Sequence, residues 1–146
     1  MSRGRGSNKS HVVERHGLQR PQRKALSRGR QILAIVRTDR TFGLALWRAE
    51  EVWLGRCLMC NAGVMASQRG TLLEGATLEH ILPRHHGGDD SPGNLAIACR
   101  RCNNSKGVRI DSLRRDDPRR REVTLALLER RRQRWREDPL PTEPEP

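Results

Sequence analysis

Apolar residues along this chain come in short runs cut by charged and glycine-containing stretches. Residues 31–36, QILAIV, are apolar but too short to separate helix from strand. Over 44–55, LALWRAEEVWLG, Leu46, Ala49 and Trp53 fall near one face at helical spacing. That predicts a short amphipathic helix ended by Gly55, with Trp47 and Trp53 in the core. Residues 63–73 read as a small hairpin about Arg69-Gly70, and 76–82 as a strand. Gly87-Gly88, Asp89-Asp90 and Pro92-Gly93 supply turn chemistry for a loop over 83–93. A second strand over 95–98 and a short helix over 100–106, stopped by Gly107, complete a strand–loop–strand–helix order. Asp117 as N-cap and Pro118 at the first helical position open a last helix over 118–136. Val123, Leu127 and Leu128 give it an apolar stripe, and its arginines coat the other faces.

This order predicts one small α+β domain with flanking helices. The expected core spans 31–112. A disordered basic arm over 1–30 precedes it, and a basic C-terminal helix over 113–137 and an acidic, Pro-rich tail over 138–146 follow it. Hydrophobic residues make up 34% of the chain, with one Phe and no Tyr, so the core is thin enough to need a staple.

Charge narrows the partners. The formal net charge is +12, nearly all of it from Arg, which forks onto phosphates and guanine edges. The first 30 residues hold nine Lys or Arg against one acid, Glu14. A flexible arm of that kind binds nucleic acid without reading sequence. No apolar run reaches the length of a membrane span, so no membrane partner is expected. The basic N-terminus lacks the apolar segment of a secretory leader. The expected compartment is a bacterial cytoplasm, or the host's if the gene is phage-borne.

In a reducing compartment four cysteines point to metal rather than disulfides. Cys57/Cys60 and Cys99/Cys102 form two Cys-x-x-Cys knuckles, and the chain has no other Cys. Each knuckle turns two sulfurs toward one ion, and four thiolates satisfy a tetrahedral Zn²⁺ with no open position. The zinc expected here is structural, and the long segment between the knuckles must carry the chemistry.

That segment sets Glu79 and His80 side by side near the end of the first predicted strand, Asn94 before the second, and Asn103 directly after the last Cys. A neutral imidazole can take a proton from water, while a carboxylate and an amide oxygen can hold a hard divalent cation. Phosphodiester hydrolysis needs both functions. Neighbouring side chains on a strand point to opposite faces, so a bend at Glu79-His80 is expected if both are to meet one phosphate. Arg84, Arg100, Arg101 and Lys106 are the expected phosphate contacts. His85 and His86 are expected to be exposed in the polar loop.

The strings CLMC, EHILPRHHGG, NLAIACRRC and NNSKG, in this order over residues 57–107, resemble the HNH endonuclease family, the ββα-metal nucleases. The resemblance implies a ββα-metal core and a DNA endonuclease acting on duplex DNA as a monomer or a DNA-induced dimer. It makes His80 the general base and Glu79 a ligand of the catalytic cation. Asn94 holds the loop and orients His80 through backbone hydrogen bonds, and Asn103 is the second ligand. Glu79 stands where Asp is commoner, and Asn103 where many members have His. An amide oxygen favours Mg²⁺ or Mn²⁺ over softer ions. Two other readings share the knuckles and basic arms: a non-catalytic zinc-ribbon nucleic-acid-binding module, and a subunit of a restriction or phage packaging assembly.

Overall fold

The computed structural model describes residues 26–138. The expectations for residues 1–25 and for the tail from 139 onward lie outside them. The first helix, α1 (Arg28–Thr38), includes the last three residues expected in the disordered arm. Its N-cap Ser27 accepts the Arg30 amide, and Ile32, Ile35 and Val36 are buried at helical spacing. QILAIV is therefore helical.

The helix expected over 44–55 is instead a hairpin of β1 (Gly43–Trp47) and β2 (Glu50–Arg56). Arg48 and Ala49 take φ of 51° and 64°, the two positive values that a tight two-residue hairpin turn requires. Gly55 stops nothing. It lies inside β2, where an added Cβ would sit 2.4 Å from the Phe42 ring. Trp53 packs against the core, but Trp47 is only half-buried and carries the Arg48 guanidinium 4.4 Å over its ring.

The hairpin expected over 63–73 forms as β3 (Gly63–Ser67) and β4 (Leu72–Leu73), giving an antiparallel sheet ordered β1-β2-β3-β4. A separate antiparallel pair, β5 (Ala76–His80) and β6 (Leu95–Cys99), sets Glu79 opposite Ala96 and His80 opposite Leu95. β6 leads straight into α2 (Arg100–Lys106). Gly107 does not end the turn: its φ of −56° is right-handed helical, and a wide π turn continues over Gly107–Asp111. One core cluster joins Ile32, Ile35, Val36, Phe42 and Val64 to Leu95, Ile97 and Cys57, tying α1 and the larger sheet to β6 and the first knuckle. Among the described residues no helix is long and apolar enough to cross a membrane.

The last helix, α3 (Pro118–Gln133), begins as expected, with the Asp117 carboxylate accepting the Arg119 amide and Pro118 in the first turn. Leu127, with Val123 and Leu128 beside it, packs on Leu58, Ile81 and Ala96. The arginines do not all coat the outside. Arg131 is 1% exposed; its Nε donates to the Leu95 carbonyl at 2.9 Å, and its Nη atoms donate to Thr38 Oγ1 at 2.7 Å and to the Thr38 and Pro92 carbonyls. Arg134 donates to the Arg56 and Cys57 carbonyls, and Arg130 to those of Leu58 and Met59. Arg136 reaches the Val36 and Arg37 carbonyls at the end of α1, where a cation also meets the negative end of the helix dipole. The basic helix thus bolts the first knuckle and α1 to β6. Arg131→Ala removes four hydrogen bonds and a buried side chain at once. It is expected to lower stability by about 2–4 kcal/mol, read as a lower midpoint in urea unfolding.

Candidate functional site

The two knuckles close on one another. The four cysteine sulfurs lie within 4.8 Å of each other, and Cys60 Sγ and Cys99 Sγ are 3.7 Å apart. A tetrahedral zinc with bonds of about 2.3 Å needs its sulfurs about 3.8 Å apart, so the quartet fits that ion. Backbone amides prepare the thiolates. Met59 and Cys99 N–H groups point at Cys57 Sγ, and the Ala62 N–H at Cys60 Sγ, each at 3.4 Å. The Ala62 contact leads in lowering the Cys60 thiol to about 7. The cluster stands at the end of β2 and at the junction of β6 and α2, so it sets how α2 lies across β5 and β6.

β5 does not bend before His80. It stays paired with β6 through the His80–Leu95 position, so Glu79 and His80 face opposite ways. Glu79 turns inward, 4% exposed, and its Oε1 accepts from Lys106 Nζ at 2.7 Å. The same ammonium donates to both Asp111 oxygens, at 2.8 and 2.9 Å, and to the His80 carbonyl at 3.3 Å. Lys106, expected on a phosphate, is instead buried at the centre of two carboxylates. Burial pushes the Glu79 carboxyl above its ordinary value, against the pull of Lys106.

His80 looks outward and remains partly exposed. Its Nε2 lies 2.8 Å from Asp90 Oδ1. Arg84 forks onto Asp90, with Nη2 at 2.8 Å from both oxygens and Nε at 3.1 Å from one. His80 and then Arg84 hold the Asp90 carboxyl below the usual carboxylate range. In this structure Arg84 therefore serves a carboxylate as well as facing solvent. Arg100 and Arg101 are exposed at the start of α2, as a phosphate contact requires.

Asn94 fills the loop-holding role. Its Oδ1 accepts the Leu82 amide at 2.8 Å, and its Nδ2 donates to the Leu82 and Asp89 carbonyls at 3.0 and 2.8 Å. Its own carbonyl accepts the Ile81 amide. Gly88 belongs to the same closure: an added Cβ would fall 1.7 Å from the Leu82 carbonyl oxygen. Asn103 is half-buried on α2, one turn before Lys106. Among the described residues its side chain makes no hydrogen bond, and none joins it to Glu79. His85 is exposed as expected, but His86 is buried; both rings reach the Asp111 carbonyl, at 3.2 and 2.9 Å.

The structure thus forms two polar groups on either side of β5: Glu79–Lys106–Asp111 toward α2, and His80–Asp90–Arg84 toward the loop. In the first group two carboxyl groups share one ammonium. A buried carboxylate and an amide without a hydrogen bond are donors suited to a hard divalent cation. Sequence reasoning missed Asp90 and Asp111. Asp90 was read as turn chemistry, although the spacing of His80 and Arg84 could have pointed to an acid between them. Asp111 had no signal, because it reaches Lys106 only through the π turn.

Residues 57–109 match the model of the family described as HNH endonuclease, which bears out the resemblance of residues 57–107. No curated protein and no solved structure matches the chain.

Proposed function

We propose that the chain is a metal-dependent DNA endonuclease that hydrolyses phosphodiester bonds, as the HNH endonuclease match over residues 57–109 implies. The observation that carries this reading is the accessible His80 imidazole at the end of β5, beside the loop that Asn94 holds. A partly exposed imidazole faces the loop, and the next residue back is a buried carboxylate facing α2. His80 acts as general base and takes the proton of the attacking water. Glu79 and Asn103 would hold a Mg²⁺ or Mn²⁺ ion, which supplies charge stabilisation at the scissile phosphate. Lys106, itself held by Asp111, fixes the Glu79 carboxylate. Asn94 keeps the loop folded over His80. Exposed Arg100 and Arg101 contact backbone phosphates, and the net charge of +12 adds affinity that does not depend on base sequence.

Two observations favour a second reading, a zinc-stapled nucleic-acid-binding module without cleavage: Lys106 already neutralises Glu79 at 2.7 Å, and Glu79 and His80 face opposite sides of β5. The two readings separate in a plasmid assay on the full, zinc-loaded chain. Nicking of supercoiled DNA when Mg²⁺ or Mn²⁺ is added, and none when both are omitted, is the expected result. A gel shift with intact plasmid under every ion would leave only binding.

A further inference from the structure

We propose that Asp90 is a positioning residue for hydrolysis, holding the His80 ring in the tautomer that carries its proton on Nε2 and leaves Nδ1 free to accept one from water. The inference rests on the reading of His80 as the general base. It adds a residue and an atom to that reading.

The geometry fixes the direction of the hydrogen bond. An ionised carboxylate can only accept, so at 2.8 Å from Asp90 Oδ1 the His80 Nε2 must be the donor. A neutral imidazole has one N–H. Placing it on Nε2 makes Nδ1 the basic nitrogen. Arg84 Nε also lies 3.3 Å from His80 Nε2, but Arg84 makes three shorter contacts to Asp90, at 3.1, 2.8 and 2.8 Å. Two donors cannot bond to one another, so Arg84 belongs to the carboxylate and the ring to Asp90.

Asp90 is itself held in place. Arg84 grips both of its oxygens. Its neighbour Asp89 accepts from the Ser91 amide at 3.1 Å and the Ser91 hydroxyl at 2.6 Å, and the Asp89 carbonyl accepts from Asn94 Nδ2. Asn94 and the close approach of Gly88 then lock the loop to Leu82, two residues beyond His80. Asn94 therefore orients the base in two ways: through the backbone after β5, and through the carboxylate that the loop presents. Asp90 also supplies the charge that an imidazolium needs once His80 has taken a proton, next to the Arg84 cation.

The test uses the full, zinc-loaded chain labelled with ¹⁵N-histidine. Spectra are taken at about pH 9, above the ordinary imidazole pKa of about 6.5. The His80 signal, assigned by its loss in His80→Ala, should report the Nε2–H tautomer in the wild type. Asp90→Ala should shift it toward a mixture and slow plasmid cleavage on the order of 10²-fold or more, with DNA affinity and zinc content unchanged. Asp90→Asn is the second variant, in case the alanine protein does not fold. Its amide can offer Nε2 either a donor or an acceptor, so it should also mix the tautomers and slow cleavage. Asp90→Glu, which keeps a carboxylate, should recover part of the rate. A wild-type ring protonated at Nδ1, or variants that cleave slowly with the tautomer unmoved, would overturn the proposal. The tautomer reads the Asp90 contact whether or not His80 proves to be the base; cleavage by His80→Ala at the wild-type rate would remove the base and leave that contact standing.

Discussion

Removing the zinc that the four cysteines are placed to hold should unfold this protein. Cys57 is both one of the four cysteines placed to hold the ion and a member of the main core cluster, packed with Ile35, Phe42 and Ile97. The quartet links the end of β2 to the β6–α2 junction, and α3 is fastened to the same knuckle by Arg130 and Arg134. Without the ion, four sulfurs within 4.8 Å lose the bonds that hold them together, and the strands they join lose their relative placement. Zinc binding in small domains contributes about 10–16 kcal/mol. A typical domain is stable by about 5–15 kcal/mol in total, so the loss is of the same size as the whole stability. Chelation by a strong zinc ligand, or Cys57→Ser, should collapse the far-ultraviolet dichroism in step with metal release. A native spectrum after quantitative zinc removal would show that the apolar clusters suffice alone.

Much of the site was legible because its residues obey local rules. The knuckles are a spacing signal, β5 and β6 are short apolar runs, and α2 and the start of α3 carry their own boundaries. Asn94 was legible as a loop-holder only through the resemblance to the HNH endonuclease family; its place before β6 by itself reads as turn chemistry. The misreadings came where tertiary contacts override local pattern. Leu46, Ala49 and Trp53 repeat at helical spacing, yet the chain turns at Arg48-Ala49, two residues with none of the usual Gly or Asn signature for positive φ. Leu46 is left 81% exposed on the outer strand of the sheet, a position that no burial pattern announces. Lys106 and Arg131 were assigned to the surface because isolated charges rarely bury. Their partners, Asp111 across a π turn and carbonyls from two distant segments, exist only in the folded chain. The bend expected at Glu79-His80 was a requirement imposed by assuming that both side chains share one face. The strand instead runs straight and uses both faces.

His80→Ala should abolish cleavage while leaving the protein folded, zinc-loaded and bound to DNA. The ring lies at the end of β5, partly exposed, outside both apolar clusters, and among the described residues its side chain bonds to Asp90 with Arg84 alongside. Its removal leaves Arg84 still paired with Asp90, and leaves Glu79 still paired with Lys106 on the other face of the strand. General-base catalysis contributes about 10²–10⁴-fold in rate, so loss of the imidazole should drop nicking by at least that lower figure. The most direct measurement runs wild type and His80→Ala side by side on supercoiled plasmid with Mg²⁺ or Mn²⁺, with a gel shift and a zinc determination on each preparation. Wild type should nick and the variant should not, with equal binding and equal zinc. Equal nicking by both proteins would contradict a mechanism built on this imidazole.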